Sequence, residues 1–243
     1  MAVKLYVIPG SHPSKAAELM LEYKGIPFKR VDLVTAMHRP ALKLLGFERK
    51  TVPAMKADGR KAQGTRAISQ ALDEMKPDPP LLPSDAVREA ERWGDDELQP
   101  IPRRLAWWAL THMPAKERTE AAKLSLQGYR LGLPVGVAAR TVGPIAKVSA
   151  RYNHSTDDAV RADLAAVPQR LDRVDALLGE GVIGGSELNA ADFQIATSVR
   201  LLLAYEDLRP HVEGRPAADH ARRVVPEYNA AFPKVFPPEW LKI

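Results

Sequence analysis

The chain has 243 residues, no cysteine and a formal net charge of +5 at pH 7. Without cysteine it has no disulfide, no thiolate nucleophile, no CxxC redox pair and no thiolate-ligated metal centre, so any sulfur chemistry must use the sulfur of a ligand. The hydrophobic share of 45% and the charged share of 27% are those of an ordinary soluble globular protein.

Strand and helix patterns alternate over the first third of the chain. Strands are predicted at residues 4–8, 28–34, 52–57 and 60–62, and helices at residues 14–24, 40–45 and 65–75. A Pro-Gly turn follows the first strand, Gly25 is placed to end the first helix, and Asp58-Gly59 predicts a tight hairpin. The order β-α-β-α-β-β-α predicts a small α/β domain with one right-handed parallel crossover.

A proline-rich segment follows this domain. Residues 76–85 contain four prolines, which cannot continue a helix and are typical of a linker. Strand patterns then stop, and helices are predicted at residues 86–98, 103–110, 115–131, 160–178 and 189–204, the first two separated by Pro100 and Pro102. We therefore expect a first domain at residues 1–77, a linker at residues 78–85 and an all-helical domain at residues 86–243.

Two patterns in the helical part are specific. Six apolar residues from Val160 to Leu178 step by four and three residues, which predicts a seam facing other helices, with a kink at Pro168. Asn189 and Asp192 have the spacing of an N-cap residue and its capping-box partner. Asp192 is therefore expected to support folding rather than to act as a catalytic acid.

Positive charge is concentrated in the first domain. Residues 1–77 contain 14 basic and 7 acidic residues, whereas residues 78–243 contain 21 and 23. The basic residues are scattered and are not interleaved with aromatic ones, which favours a solvated surface or a small-anion site over nucleic-acid binding. The apolar run at residues 5–9 is too short for a signal peptide, and residues 131–145 are too interrupted for a membrane span. A cytoplasmic protein without membrane contact is expected.

Several short segments, in this order, resemble those of the glutathione transferase superfamily. They are LY at residues 5–6 with Ser11, LMLEYKGIPF at residues 19–28, VPAM at residues 52–55, DG at residues 58–59, QGTRAI at residues 63–68, and VIGG with NAAD at residues 182–185 and 189–192. The resemblance implies an α/β thioredoxin-like N-terminal domain that binds a thiol, followed by an all-α C-terminal domain that lines a hydrophobic pocket. It also implies a homodimer.

The resemblance further implies which residues would meet the thiol. Ser11, counted back from the KGI segment, falls at the catalytic position of Ser-type members, where its hydroxyl and the positive end of the first helix would lower the pKa of the ligand's thiol. Val52, before a cis proline, would pair with the backbone of the tripeptide, and Thr65 would hold its γ-glutamyl carboxylate at a helix amino end. The predicted thiol-binding residues are His12, Val52, Pro53, Gln63, Gly64 and Thr65.

The residues alone leave simpler interpretations open. Ser11 and Thr65 are equally suited to be plain N-cap residues, and Pro53 could merely start a strand. Trp107 and Trp108 could line a pocket or fill the core. Residues 131–145, rich in glycine and proline, could cover the pocket or contribute to a dimer.

Two departures from the family pattern bear on function. Gly64 stands where members carry an acidic residue, and residues 47–51 replace the usual segment before VPA. Glutathione itself is therefore in question, and another low-molecular-weight thiol, or no thiol at all, would be consistent with these departures. The departures also motivate the alternative of a non-catalytic binding or interaction module on the same fold.

The favoured hypothesis is a detoxification transferase that activates a thiol for conjugation or isomerisation of small hydrophobic electrophiles. The thiol is a co-substrate and no further cofactor is expected. None of the six histidines forms an i, i+4 pair, so no metal site is predicted. The expected partners are the thiol, the electrophile and a second copy of the chain, not nucleic acid. Hydrolase, P-loop and dinucleotide-binding signatures are absent from the sequence.

Overall fold

The computed structural model describes residues 2–130 and 132–242 and begins with a four-stranded sheet and three helices. These elements are β1 (Val3–Val7), α1 (His12–Tyr23), β2 (Phe28–Asp32), α2 (His38–Leu44), β3 (Ala54–Ala57), β4 (Arg60–Gln63) and α3 (Thr65–Met75). The strand order is β2-β1-β3-β4, with β1 parallel to β2 and antiparallel to β3. The predicted order of elements and the mixed, thioredoxin-like sheet are confirmed.

The two faces of the sheet are buried by different neighbours. Leu5 and Val7 of β1 belong to the main core, whereas Tyr6 points to the opposite face and packs edge-on against Phe47 near α2. Strand β3 begins later than predicted because Pro53 has no N–H to donate to the ladder. Asp58 and Gly59 both have positive φ, so the predicted hairpin turn is confirmed.

The rest of the chain is helical. Its elements are α4 (Asp85–Trp93), α5 (Pro100–His112), α6 (Ala115–Ser125), α7 (Val135–Arg140), α8 (Val142–Tyr152), α9 (Asp157–Gly179), α10 (Ala190–Leu203), α11 (Arg209–Val212), α12 (Pro216–Val224) and a 3₁₀ turn (Pro238–Trp240). The predicted all-α character of this part is confirmed. Residues 76–84 contain no helix or strand, and the domain limits at residues 77 and 86 stay predictions.

The helical path between α4 and α5 is continuous, which corrects the predicted interruption. A π-helical turn at Gly94–Leu98 leads directly from α4 into α5. Pro100 and Pro102 fall in the first turn of α5, the part of a helix in which proline is best tolerated.

The region after α6 also differs from expectation. Helix α6 ends at Ser125 rather than at residue 131, which lies outside the described residues. Most of the glycine- and proline-rich segment forms α7 and the start of α8. In α9 the predicted apolar seam is buried from Val160 to Val174. The last fully buried residue of the seam is Leu177 rather than the predicted Leu178. The shift arises because an ideal helix drifts from a strict seven-residue repeat.

One apolar core joins the sheet to the helices. The buried cluster runs from β1, α1 and α3 into α4, α5, α9 and α10, and α1 packs directly on α10. Lys24, fully buried, lies 2.5 Å from Asp73 Oδ1 and donates to the Lys76 carbonyl at 2.6 Å. The Asp73 carboxylate in turn accepts from the backbone N–H groups of Leu81 and Leu82. These bonds fix the segment between α3 and α4 against α1.

Among the helices described, none combines the length and the apolar character needed to span a bilayer.

Candidate functional site

A cleft of about 550 Å³ separates one edge of the sheet from the helices. Its first wall consists of residues 8–13, 34–39 and 50–52, which follow β1 and β2 or precede β3 and therefore meet at one edge. Its second wall consists mainly of side chains from α5, α6, α7 and α8, together with Leu201 of α10, Ala230 and Phe232. Most of the lining is apolar, and the volume suits a small molecule.

Ser11 lies at the amino end of α1 and lines this cleft. Its Oγ accepts hydrogen bonds from the Ser14 backbone N–H at 3.3 Å and from the Ser14 hydroxyl at 2.9 Å. Ser11 is thus the N-cap of α1. Because both bonds use Oγ as acceptor, the Ser11 proton remains available for donation to a ligand in the cleft.

His12 is buried next to Ser11, with 2% of its surface exposed. Its Nε2 lies 3.2 Å from the carbonyl oxygen of Gln99, the residue before α5. Burial, followed by the nearby Arg103 guanidinium, lowers the pKa of His12 to about 3, although the bond to Gln99 acts in the opposite direction. His12 is therefore neutral at physiological pH and joins α1 to α5 while one side of its ring lines the cleft.

Val52 presents unpaired backbone to the cleft. The Val52–Pro53 peptide bond is cis, as the resemblance implied. Within the described parts of the chain, neither the N–H nor the C=O of Val52 forms a hydrogen bond. Backbone groups of this kind can pair with an extended ligand.

Gln63 holds the loop that ends at Val52. Its side-chain amide donates to the carbonyl oxygens of Arg49 at 2.6 Å and Thr51 at 2.8 Å, and its Oε1 accepts from the Arg49 N–H at 2.9 Å. Three such bonds commit the side chain to the loop, so Gln63 positions the loop.

Gly64 has φ +91°, in the left-handed region that favours glycine. A Cβ atom at this position would lie 3.7 Å from the Arg49 guanidinium, an ordinary contact. Its N–H donates to the Pro53 carbonyl at 2.9 Å. Backbone conformation, not lack of space, therefore selects glycine here, which gives a physical reason for the missing acidic residue.

A recess of about 390 Å³ opens near the amino end of α3. Its polar lining consists of Arg49, Gln63, Arg66, Gln70, Arg88, Glu91 and Asp95. Thr65 is 1% exposed, and its Oγ1 has no hydrogen-bond partner within residues 2–130 and 132–242. One loop separates the two concavities, since Arg49 lines the recess and Val52 lines the cleft.

The recess contains both signs of charge. Burial raises the pKa of Glu91 to about 7, although the Ser69 hydroxyl donates to its carboxyl at 2.7 Å. Burial and the neighbouring Asp96 raise the pKa of Asp95. A lining that contains both arginine and carboxyl side chains can receive the carboxylate and the ammonium group of an amino acid.

The structure divides the predicted site residues among three places. Ser11, His12 and Val52 line the cleft, Gln63 and Gly64 line the recess, and Pro53 and Thr65 are buried and line neither. No sequence motif indicated Arg103, Glu91 or Asp95 as site residues. Only Arg103 has a sequence signal, because it lies four residues before Trp107 and so shares a helix face with it.

The tryptophan pair and the glycine-rich segment are also placed by the structure. Trp107 lines the cleft, whereas Trp108 is buried and donates from Nε1 to Asp157 at 2.8 Å. Leu133, Pro144 and Ile145 line the cleft as well, so this segment covers the pocket. No cluster of metal-ligating side chains exists within the described residues.

Residues 5–80 match the family described as glutathione S-transferase, N-terminal domain. No curated protein sequence matches the chain significantly. Among solved structures it is similar to glutathione transferase GSTFuA2 from Phanerochaete chrysosporium, with 18% identity, 95% of this chain and 99% of that chain covered, and a TM-score of 0.61.

Two further structures are similar over nearly the full length. Beta-etherase LigF from Sphingobium sp. strain SYK-6 has 16% identity, covers 92% of this chain and 99% of its own, and has a TM-score of 0.58. FzlA from C. crescentus has 18% identity, with 100% and 99% covered and a TM-score of 0.57. At these identities the likeness concerns the fold.

Proposed function

We propose that this chain, whose residues 5–80 match the glutathione S-transferase N-terminal domain family, binds a low-molecular-weight thiol and activates its sulfur for attack on small hydrophobic electrophiles. The observation that supports this most directly is Ser11, whose hydroxyl proton is available at a helix amino end in an apolar cleft. Glutathione or a thiol of similar build is the proposed co-substrate.

The proposed reaction uses the ligand's sulfur as nucleophile. Ser11 donates its O–H to the thiolate, and the amino end of α1 adds positive potential, so the thiol loses its proton to solvent at a lower pH than its usual value near 8.5. The sulfur then forms a bond to the electrophilic carbon, and the leaving group departs with the electron pair of the broken bond. Serine remains unmodified throughout.

The two concavities suit an elongated thiol. Its backbone would pair with the N–H and C=O of Val52, which form no hydrogen bond within the described residues, and this pairing would place the sulfur toward Ser11 and the opposite end toward the recess. There Arg66 and the amino end of α3 would receive an α-carboxylate, while Asp95 and Glu91 would receive an ammonium group. These α4-side carboxyl groups would take the role that an acidic residue at position 64 has in other members.

A non-catalytic binding module is the second candidate. It is favoured by the commitment of Gln63 to three bonds within the protein and by the absence of a side chain at Gly64. Under this hypothesis the cleft binds a molecule without changing it. Calorimetric titration with glutathione, N-acetylcysteine and coenzyme A, followed by a turnover assay, separates binding from catalysis.

The decisive experiment compares wild type with Ser11→Ala and Ser11→Thr in turnover of 1-chloro-2,4-dinitrobenzene with each thiol. We expect Ser11→Ala to lower kcat/KM by on the order of 10²-fold and to shift its pH profile upward, because the thiolate loses a donor. Ser11→Thr retains the hydroxyl and the helix cap and should keep most of the activity. If no thiol supports turnover, or if Ser11→Ala is as active as wild type, the enzyme hypothesis fails and the binding module replaces it.

A further inference from the structure

The ionisable side chains that line the cleft have only one sign of charge. They are His12, His38, Arg39, Lys50 and Arg103, together with neutral Tyr152, and none of the described residues that line the cleft is an aspartate or a glutamate. Elsewhere on this protein the basic groups are commonly paired with carboxylates. The cleft is therefore an apolar space with a cationic lining.

The positive charge of the lining comes from its arginines and its lysine. Burial lowers the pKa of both His12 and His38, which favours the neutral form of both rings. The guanidinium of Arg39 lies 3.7 Å from the ring centre of Tyr152 on α8, which joins the two walls of the cleft. Lys50 lies in the same loop as Val52 and so on the wall where the thiol would bind.

Arg103 lies on the opposite wall, and its side chain has no hydrogen-bond or ion-pair partner among the described residues. Its Nε is buried without a hydrogen bond, and it forms no ion pair within residues 2–130 and 132–242. Burial and the adjacent Arg104 lower its pKa, and only the more distant Asp95 acts in the opposite direction. By contrast, the Arg104 guanidinium makes two bonds of 2.6 Å to the Asp163 carboxylate. Arg103 is partly buried, a cation without a counterion in such a place is costly, and an anionic ligand would reduce that cost.

An apolar surface begins next to Arg103. On α5, Ala106, Trp107 and Leu110 follow it at the spacing of one helix face, and all three line the cleft. Ile145 and Val148 of α8 line the same cleft. A ligand bound along this wall would meet a guanidinium at one end and an aromatic ring beside it.

We propose that the second substrate is an amphipathic organic anion whose carboxylate or sulfonate binds to Arg103 while its apolar body packs on Trp107. Its role as substrate rests on the proposed thiol-transferase function. Binding of the anion itself requires neither thiol nor turnover, so the two can be tested separately.

The binding test uses two fluorescent probes that differ by one sulfonate. The full-length protein is titrated with 8-anilinonaphthalene-1-sulfonate and with uncharged N-phenyl-1-naphthylamine, without thiol. We expect the sulfonate probe to bind at least about tenfold more tightly, and Arg103→Met to reduce this ratio by about tenfold or more, because a charge-assisted bond is lost. Arg140→Met, which removes an exposed arginine of α7 outside the cleft lining, should leave the ratio as in wild type. Equal affinities for the two probes, or a ratio that Arg103→Met leaves unchanged, would overturn the proposal.

The kinetic test uses a matched pair of electrophiles, 4-chloro-3-nitrobenzoate and 4-chloro-3-nitrobenzamide, with the thiol that supports turnover. Arg103→Met should lower kcat/KM for the benzoate about tenfold more than for the benzamide, chiefly through KM. Equal losses of kcat/KM for both substrates would mean that Arg103 acts on the thiolate rather than on the anionic group of the electrophile, and would contradict the proposal. If no electrophile is turned over but the sulfonate preference depends on Arg103, the anion site stands and the proposed catalytic function is what fails.

Discussion

Glu91 lies on α4 and faces the recess with only 3% of its surface exposed, so its titration affects folding. Its pKa is raised from 4.5 to about 7, mainly by burial. Between these two pH values the folded state binds more protons than the unfolded state, and the free energy of unfolding therefore falls as pH rises. Arg66 and Arg88 oppose this shift and Asp95 adds to it.

We predict that the free energy of unfolding of Glu91→Gln, measured relative to that of wild type, increases as pH rises from 5 to 8. The increase should reach up to about 3 kcal/mol. Glutamine is neutral at every pH and its amide oxygen still accepts from Ser69. Urea unfolding at pH 5 and pH 8 measures the difference. Glu89→Gln, on the exposed face of the same helix, is the control and should show no such gain. A stability difference for Glu91→Gln that does not grow with pH would show that Glu91 is ionised in the folded protein.

At the residue scale, sequence patterns locate the site only where the pattern is local. Ser11 and Val52 lie within a few residues of short segments that can be recognised, and both line the cleft. Glu91, Asp95 and Arg103 come from later helices that reach the site through tertiary packing. The spacing of residues along the chain does not indicate which distant helices pack against the site. These three residues could therefore not be assigned to the site from the sequence.

At the element scale, the start of α10 joins three segments of the chain. Asp192 Oδ2 accepts from the Asn189 N–H at 2.8 Å, which confirms the predicted capping box. Its other oxygen accepts from the Gly184 N–H at 2.7 Å and lies 3.2 Å from Nε2 of His220 on α12. One buried carboxylate thus fixes the helix start, the preceding loop and α12.

We predict that Asp192→Ala lowers the free energy of unfolding by about 2–4 kcal/mol, because two backbone donors lose their acceptor inside the protein. Chemical denaturation followed by circular dichroism measures the loss. Asp219→Ala, whose carboxylate is 80% exposed on α12, should cost less than about 1 kcal/mol. Similar losses in the free energy of unfolding for the two variants would mean that the buried Asp192 carboxylate does not contribute to stability more than an exposed one.

The helix boundaries that were predicted wrongly lie at prolines. Pro100, Pro102 and Pro144 all fall in the first turn of a helix, and Pro134 directly precedes α7. Proline at such a position stabilises the helix or leaves its stability unchanged, although proline in the interior of a helix disrupts it. Sequence periodicity cannot distinguish the two cases, because helix starts also depend on tertiary packing, as in α7 and α8, which pack against α6 and α5.

At the scale of the whole molecule, the sheet and the helices share one core. Met20 of α1 is fully buried in the cluster that also contains α10 residues. All four tryptophans lie at residue 93 or beyond, so their fluorescence reports on the helical part alone. The order of strands and helices was predictable from periodicity, whereas this shared core depends on contacts between segments distant in sequence.

We predict that Met20→Ala lowers the unfolding midpoint seen by tryptophan fluorescence as much as the midpoint seen by far-ultraviolet circular dichroism. The expected cost is about 2–5 kcal/mol, and both probes should respond because the sheet and the helices share one core. Leu44→Ala, at a position 90% exposed on α2, should leave both midpoints near wild type. A fluorescence midpoint that stays fixed while the dichroism midpoint falls would show that the two parts unfold independently.

The contact between Arg39 and Tyr152 shows that the cleft is closed by groups from both parts of the chain. A molecule bound there touches both walls and favours the folded chain over the unfolded one. At a concentration one hundred times its Kd, such a ligand adds about 2.7 kcal/mol to the free energy of unfolding. The supply of ligand therefore helps to set how long each copy of the chain persists against unfolding and proteolysis.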